Sequence, residues 1–394
     1  HNILRRVMKQ LSKMMLAAVA SVALAAPAFA WDFSASGSSS ATFKQQTYAP
    51  AEGDATTTAD FSSSAGGVTI SSSNSDGANS ATFSYTADYN SDGDALNFDE
   101  YVSVSGSKKV GNWTASSATT QYMQKDSTAG TPMTSNGSAV ITLTDGSITY
   151  KLGNAAHLST AEKTSGGPMD GTQDAEASVD AFDGFSVGLG VGPGTLTVAL
   201  EMASTGSATE LGKGDATFLG EGTGGDAALD CGAQKTGFGL NFAGDVGADL
   251  TFTYGSGSAA MGSGCTDNAS ANAATYSVMG LGVAVPVGAM TIALDYGTNV
   301  ALWTIDNAQG GSANAGWEIS LVMPVGDATA GVNLSSTATI GTAAGVAGDA
   351  AVTGGTELWY TVPIGAVSLS AGYGSEAVDG ATTTQIGAEM SMSF

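Results

Sequence analysis

Apolar residues alternate with small or polar residues along most of the chain, most clearly in three hairpins of its last third. In each hairpin an alternating strand runs into a proline-glycine turn and a second alternating strand follows. The turns lie at 285–288, 323–326 and 362–365. A period of two gives a strand one apolar and one polar face. The pattern therefore predicts antiparallel strand pairs joined by short turns.

The same pattern extends toward the N-terminus, although the early strands are rich in serine. Turn signals occur at 145–146, 192–194 and 244–247. Long polar loops are predicted at about 155–180, 203–235, 256–274, 298–314 and 336–355. Short turns at one end and long loops at the other are typical of a transmembrane β-barrel. Counting alternating segments gives eleven strands after residue 180 and up to seven before residue 155.

The first 30 residues have the organisation of a secretory signal peptide. Four basic residues precede an apolar run at 14–26, and small residues at 28–30 precede Trp31. The run is too short to span a bilayer, so we predict export through the Sec pathway and cleavage before Trp31. One domain, 31–394, would remain. Met8-Lys9 is typical of a natural start, which leaves open whether residues 1–7 belong to the natural chain.

Composition favours a barrel over a compact globule and limits the partners. The chain has 55 glycines, and cleavage would leave eight basic residues against 36 acidic ones, a net charge of −28. Such a surface excludes nucleic acid as a partner and favours cations. A barrel can bury its outward apolar face in lipid and needs no large aliphatic core.

The last strand connects the pattern to a known class of proteins. Ile386, Ala388, Met390, Met392 and Phe394 alternate up to an aromatic C-terminus. This ending resembles Gram-negative outer-membrane β-barrels. The resemblance implies a place in that membrane, in contact with lipid and lipopolysaccharide. It also implies that the outer-membrane assembly machinery recognises Phe394.

A second stretch, 146–154, resembles the strand that enters the constriction loop of general diffusion porins. These porins have eleven strands after that loop and five before it. We therefore predict an all-β, antiparallel up-and-down barrel of 16 strands, with 18 as the alternative, short periplasmic turns and long extracellular loops. The resemblance also implies a homotrimer.

The segment that follows, 155–180, is acidic like the loop that narrows those porins. If it folds into the barrel it forms the constriction, and the alternative is that it lies outside. General porins usually carry an arginine cluster opposite this loop, whereas this chain has no arginine after Arg6. The constriction candidates are Asp170, Asp174, Glu176 and Asp180.

Strand parity assigns charged residues to the inner face, because carboxylates facing hydrocarbon would be costly. The predicted pore-lining acids are Asp88, Asp99, Glu201, Asp249, Asp295, Glu318, Glu357 and Glu389. The predicted pore-lining basic residues are Lys44, Lys151 and Lys235.

Two smaller motifs have alternative interpretations. Cys231 and Cys265 lie in loops at the same end of one hairpin, so in an exported protein we predict a disulfide rather than a metal pair. Asp88, Asn90, Asp92 and Asp99 have the spacing of an EF-hand calcium loop. Their flanks alternate as strands, which favours a plain hairpin turn over calcium.

The sequence predicts a channel and no enzyme. His157 is the only histidine after residue 30, and no catalytic motif or cofactor fingerprint accompanies it. The leading hypothesis is a porin for passive diffusion of small hydrophilic solutes, preferring cations. One alternative is a substrate-selective porin, which would need Trp113, Tyr122 and Trp303 to face inward. The other is a secreted surface-layer or adhesin protein.

Overall fold

The computed structural model describes a single antiparallel sheet closed into a barrel, with one small hairpin beside it. The described residues are 31–62, 66–92, 95–124, 138–167, 182–201, 234–260, 274–298, 300–303, 309–313, 315–338, 352–378 and 380–394. Among them, no helix is long and apolar enough to cross a membrane.

The first half of the sheet is formed by strands rich in serine and threonine. Its strands are β1 (Asp32–Ala49), β2 (Thr56–Ser62), β3 (Gly67–Ser75), β4 (Asn79–Asp92), β5 (Ala95–Val110), β6 (Trp113–Gln124), β7 (Ser138–Thr144) and β8 (Ile148–Ala155).

The second half contains the strands with the clearest apolar alternation. Its strands are β9 (Phe182–Val191), β10 (Gly194–Glu201), β11 (Gln234–Asp245), β12 (Asp249–Ala260), β13 (Ala274–Val287), β14 (Met290–Thr298), β17 (Ala315–Val325), β18 (Ala328–Ala338), β19 (Val352–Ile364), β20 (Val367–Val378) and β21 (Ala381–Ser393). The short strands β15 (Val300–Trp303) and β16 (Gln309–Ala313) pair only with each other.

Within the described residues the closed barrel has 18 strands, so the prediction of 16 is wrong and the stated alternative of 18 is confirmed. β2 and β3 both pair with β1, at 42–48 and 32–37 respectively, and together they form one interrupted strand. Seven barrel strands then precede residue 155 and eleven follow residue 180. The alternation count was right, and the correction toward the strand number of general porins caused the error.

The serine-rich strands are genuine members of the sheet because their backbone bonds do not require apolar side chains. Hydroxyl pairs connect neighbouring strands on the inner face: Thr69 with Thr86 at 2.9 Å, and Ser103 with Thr120 at 2.8 Å. Such cross-strand Ser/Thr pairs contribute to sheet stability in the same way as apolar pairs do. The weak hydrophobic alternation of these strands therefore does not prevent them from belonging to the barrel.

The two faces of the wall are inverted relative to a water-soluble protein. Along β14 and β17, Leu294, Trp317 and Ile319 are exposed, whereas the alternating Asp295 and Glu318 are buried. Exposed apolar side chains on the outside and buried polar ones inside are expected of a barrel placed in lipid. The inner face is thus the polar face, as strand parity predicted.

The connections differ in length at the two ends of the barrel. Short turns such as Gly288 to Ala289 and Gly326 to Asp327 lie at the end that also holds Asp32 and Phe394. At the opposite end, strands such as β12 and β13 are separated by longer stretches, here residues 261–273.

The ring is closed by the pairing of β21 with β1. Their register runs from Ser38 opposite Ser393 to Ala49 opposite Thr382. The C-terminal residue extends it, because Phe394 and Gly37 exchange two backbone hydrogen bonds of 2.7 and 2.9 Å.

Candidate functional site

The feature that narrows the barrel is the segment that follows β8, residues 156–167, called here the inner segment. β8 pairs with β7 as far as Gly153, whose φ is +122° and where a Cβ atom would lie 2.1 Å from the carbonyl oxygen of Ala139, and it pairs with β9 as far as Ala155. Only glycine fits this conformation and this space. From there the inner segment crosses the inner faces of β9 to β19, contacting wall side chains along its length.

His157 holds the first turn of the inner segment against β9. Its Nδ1 lies 2.9 Å from Ser186 Oγ and its Nε2 lies 2.9 Å from the carbonyl oxygen of Gly153. The ring packs on Phe182, with centroids 4.6 Å apart. Because a carbonyl only accepts, Nε2 carries the proton and Nδ1 accepts from the serine hydroxyl. Burial lowers the pKa of His157 and keeps the ring neutral.

The middle of the inner segment lies on small and polar wall residues. The carbonyl oxygen of Ser159 accepts hydrogen bonds from Asn241 Nδ2 and from the hydroxyl of Thr253. A Cβ on Gly282 would lie 2.8 Å from the carbonyl oxygen of Ala161 and 2.9 Å from Asp295 Oδ1. Glycine at 282 therefore allows the backbone of the segment to approach the wall.

Three wall carboxylates bind the end of the inner segment. Asp295 accepts the backbone N–H groups of Lys163 (2.9 Å) and Thr164 (2.8 Å), and the hydroxyl of Thr164 at 2.6 Å. Glu318 accepts the same hydroxyl at 3.1 Å, and Glu357 accepts the N–H of Gly167 at 3.0 Å. Hydrogen bonds from N–H groups to a carboxylate are stronger than those between neutral groups.

Asn333 on β18 completes this contact surface. Its Nδ2 donates to the carbonyl oxygen of Ser165 at 2.7 Å and to Glu318 Oε1 at 3.0 Å. We call Asp295, Glu318, Asn333 and Glu357 the acidic seat. Its carboxylates are only 1–4% exposed, and each of them accepts a hydrogen bond from the inner segment.

A salt bridge joins the inner segment to β12. Lys163 Nζ lies 2.9 Å from Asp249 Oδ1, and the lysine side chain is 18% exposed against 59% for the aspartate. The charge of Lys163 is thus neutralised by Asp249 of the wall, whereas the neighbouring Glu162 is exposed. Of the charged residues of the inner segment, Glu162 is the one presented to water.

The structure places five of the eight predicted pore-lining acids on the inner face with described contacts or burial: Asp249, Asp295, Glu318, Glu357 and Glu389. Glu389 accepts a hydrogen bond from the hydroxyl of Thr42 at 3.2 Å. Glu201 is half-buried at the end of β10. Asp88 and Asp99 lie opposite each other in the β4–β5 ladder, and their side chains are not described. Whether any of these acids lines an open channel stays a prediction.

The predicted basic residues also lie on wall strands. Lys44 is on the parity of buried Thr42. Lys151 donates to the carbonyl oxygen of Ala156 at 3.4 Å, at the start of the inner segment. Lys235 belongs to β11, opposite Ala259, and its side chain lies outside the description.

Several predicted sites lie outside the described residues. They are the constriction candidates Asp170, Asp174, Glu176 and Asp180, and the cysteines Cys231 and Cys265. The calcium candidates Asp88, Asn90, Asp92 and Asp99 have strand backbones in the β4–β5 ladder instead of an EF-hand loop. Elsewhere in the described chain, no cluster of His, Cys, Asp and Glu could hold a metal ion.

The aromatic track required for a substrate-selective porin is not formed by Trp113. This residue lies opposite exposed Val110 and stacks on Tyr150, which in turn stacks on Phe185, each at 6.3 Å between ring centroids. The three rings follow the outward apolar parity. The side chains of Tyr122 and Trp303 are not described.

Sequence reasoning missed two parts of the site. Nothing in the sequence indicated that His157 is buried, although its side chain is only 3% exposed. The buried glycines on the inward parity, among them Gly282 and Gly331, were not used as a signal. A run of inward glycines on adjacent strands indicates that another backbone or a large side chain lies against that wall. At Gly331 the neighbour is the ring of Trp359.

No family model matches the chain, and no curated protein matches it in sequence. Pseudomonas aeruginosa OccK2 (OpdF) is similar in structure, with a TM-score of 0.52 over 92% of this chain and 98% of that one, at 12% identity. The fold is that of an outer-membrane porin.

Two further structures agree with this fold. OccK2 in complex with glucuronate aligns with a TM-score of 0.50 at 10% identity, over 92% of this chain and 97% of that one. Pseudomonas aeruginosa OpdL aligns with a TM-score of 0.51 at 10% identity, over 92% and 99%. A porin barrel with an outward apolar face is an architecture of the Gram-negative outer membrane. At such low identity the likeness extends to the fold and leaves the solutes open.

Proposed function

We propose that this protein is a channel of the Gram-negative outer membrane that passes small hydrophilic solutes by diffusion and prefers cations. Its N-terminal 30 residues would direct export and be removed, and it would assemble as a homotrimer in contact with lipid and lipopolysaccharide. The observation that carries the proposal is the inner segment, which lies across the polar inner wall of a porin barrel. A segment held inside a barrel narrows its lumen and leaves the ring of strands unchanged.

Charge supports the cation preference. After residue 30 the chain has no arginine and eight lysines against 36 acids. Two of those lysines are held at the inner segment, Lys163 by Asp249 and Lys151 by the carbonyl oxygen of Ala156. Glu162 remains exposed on the segment. A lumen with excess carboxylate concentrates cations and repels anions.

The same charge balance separates this chain from channels for acidic solutes. OccK2 has been crystallised with glucuronate, a carboxylate. Carboxylates are bound best by the bidentate guanidinium of arginine, which this chain lacks after residue 6. We therefore propose neutral and cationic solutes, and no enzymatic activity.

Planar-bilayer recording of the refolded chain 31–394 tests the proposal. Across a tenfold potassium chloride gradient the reversal potential should have the sign of cation preference. The preference should weaken near 1 M salt, where the Debye length falls to about 3 Å. Glu162→Gln should lower it, whereas Asp327→Gln in a turn between β17 and β18 should not. An anion-selective wild type would refute the charge argument, and the absence of channels would refute the pore itself.

A further inference from the structure

A recess of about 370 Å³ lies in the wall where β1, β20 and β21 meet, at the end of the barrel that holds the short turns. Its lining includes five serines and one glutamate of the inward parity: Ser38, Ser40, Ser368, Glu389, Ser391 and Ser393. They share this parity with Thr42, which is 7% exposed and donates its hydroxyl hydrogen to Glu389. We call this feature the serine recess, and its polar lining faces the lumen.

The serine recess coincides with the interruption between β2 and β3. β1 pairs with β3 as far as Gly37 and with β2 from Thr42 onward. Ser38 and Ser40 lie between these two ladders, and Gly66, just before β3, also lines the recess. The recess therefore lies where β1 changes its neighbour on one side, while its pairing with β21 continues on the other.

The hydroxyl groups of the serine recess differ from others on the inner wall. Two residues further along β20, Ser370 pairs with Thr361 of β19 at 2.8 Å between their oxygens. In the recess, Ser368 and Ser391 also lie opposite each other, in the β20–β21 register. Among the described residues, however, no hydrogen-bond partner is found for the hydroxyl groups of Ser38, Ser368, Ser391 and Ser393. Their donors and acceptors are therefore available to a molecule in the recess.

Glu389 adds a strong acceptor to these hydroxyl groups. Its Oε2 accepts from Thr42 at 3.2 Å, which is long for a bond between a hydroxyl and an oxygen, and its Oε1 has no partner among the described residues. A carboxylate can accept from two neighbouring hydroxyl groups at once, and serine hydroxyls both donate and accept. The set thus complements a molecule with several hydroxyl groups. A metal ion fits less well, because the described chain holds no group of three His, Cys, Asp or Glu that could bind one.

We propose that the serine recess is a weak binding site for a neutral polyhydroxylated solute of the size of a monosaccharide. Its volume lies at the lower end of the range of about 300–1,000 Å³ for small-molecule sites, which suits one sugar ring. Its lining has no aromatic side chain, so hydrogen bonds alone hold the solute. Weak binding suits a channel, because the solute must also leave. This inference rests on the proposed channel function and names a class of solute for it.

The test measures saturation transfer by NMR from the refolded, detergent-solubilised chain 31–394 to xylose. Triethylene glycol has nearly the same mass, but its ether oxygens only accept hydrogen bonds, so it is the control solute. We expect saturable transfer to xylose and much weaker transfer to triethylene glycol. Ser391→Ala should raise the half-saturating xylose concentration about two- to tenfold, the effect of one lost hydrogen bond, and Glu389→Gln should act in the same direction. Ser84→Ala, which removes an inward hydroxyl of β4 away from the recess, should leave it unchanged.

Heat-modifiable mobility of each variant shows that its barrel has folded. Equal transfer to the two solutes, or the same half-saturating xylose concentration in folded Ser391→Ala as in the wild type, would overturn the proposal. Bilayer recording of the same samples keeps the two proposals apart, because the NMR measurement does not require conduction. A wild type that binds xylose but forms no channels would refute the channel and leave the site standing, whereas a conducting wild type without saturable xylose binding would overturn the site alone.

Discussion

Asp295 accepts both the backbone N–H and the hydroxyl of Thr164, a residue 131 positions earlier in the chain, at 2.8 and 2.6 Å. This pair joins the inner segment to the far wall of the barrel. Because the aspartate is 1% exposed, it acts on the lumen through the segment it holds. We therefore expect the acidic seat to affect the channel by holding the inner segment in place, more than by its own charge.

Replacing Asp295 by Ala should loosen the inner segment. Hydrogen bonds to a charged group each contribute about 1.5–3 kcal/mol, and this carboxylate accepts several of them. We expect larger and more variable single-channel conductance with an intact barrel. Asp327→Ala, in an exposed turn, is the control. Conductance identical to wild type in Asp295→Ala would show that the contact does not define the pore.

A methyl group at Gly282 should displace the inner segment by sterics alone. A Cβ there would lie 2.8 Å from a backbone oxygen of Ala161, which is closer than real side chains come. Gly354→Ala, where a Cβ would meet nothing within 4 Å, is the matched control. Gly282→Ala should raise conductance in bilayer recording and the control should not. Equal conductance would mean that the segment and wall accommodate the methyl group without moving.

His157 should make stability depend on pH. Burial lowers its pKa in the folded chain below the ordinary value of 6.5, and Lys151 acts in the same direction while Asp183 opposes it. Between the pKa of His157 in the folded chain and that in the unfolded chain, the unfolded chain binds more protons than the folded one. The contribution of His157 to stability is therefore complete above about pH 6.5 and is lost as the pH falls toward the folded pKa. Urea unfolding midpoints at pH 8 and pH 5.5 measure this difference. In His157→Gln the part of the pH dependence due to histidine should disappear, and an unchanged profile would contradict the assignment.

Phe394 should be required for efficient assembly. Phe394 exchanges two backbone hydrogen bonds with Gly37. Its ring also lies directly against this glycine, because a Cβ on Gly37 would be only 2.6 Å from the ring. Deleting Phe394 shortens the β1–β21 closure and removes the terminal aromatic group. We expect a several-fold lower yield of heat-modifiable, membrane-inserted protein than with Val246→Ala in an exposed turn. Equal yields would argue against a role in closure.

Cys231 and Cys265 should form a disulfide in the exported chain. In the chain, Cys231 precedes β11 and Cys265 follows β12, and these two strands form one hairpin. Alkylation under denaturing, non-reducing conditions, followed by mass measurement, should label neither thiol. Labelling of both would refute the pairing, and labelling after reduction is the positive control.

The sequence by itself determined the barrel, because its signal is local. Period-two alternation, glycine turns and the final strand up to Phe394 each depend on residues close in the chain. The alternation count even contained the right number of strands. The prediction departed from this number only by adopting the strand count of general porins. The serine-rich strands belong to the barrel nevertheless, because backbone hydrogen bonds hold them in place without an apolar signal.

Only the tertiary structure decided what the inner segment does. Its contacts join Ser159 to Thr253, Thr164 to Asp295 and Gly167 to Glu357, across separations of 94 to 190 residues. Strand parity could assign those acids to the inner face, but it carries no information on which loop covers them. The choice of loop depends on the closure of 18 strands into a ring, which brings the end of β8 opposite β14 to β19. The backbone N–H groups of the inner segment then find their hydrogen-bond acceptors in the carboxylates of those strands.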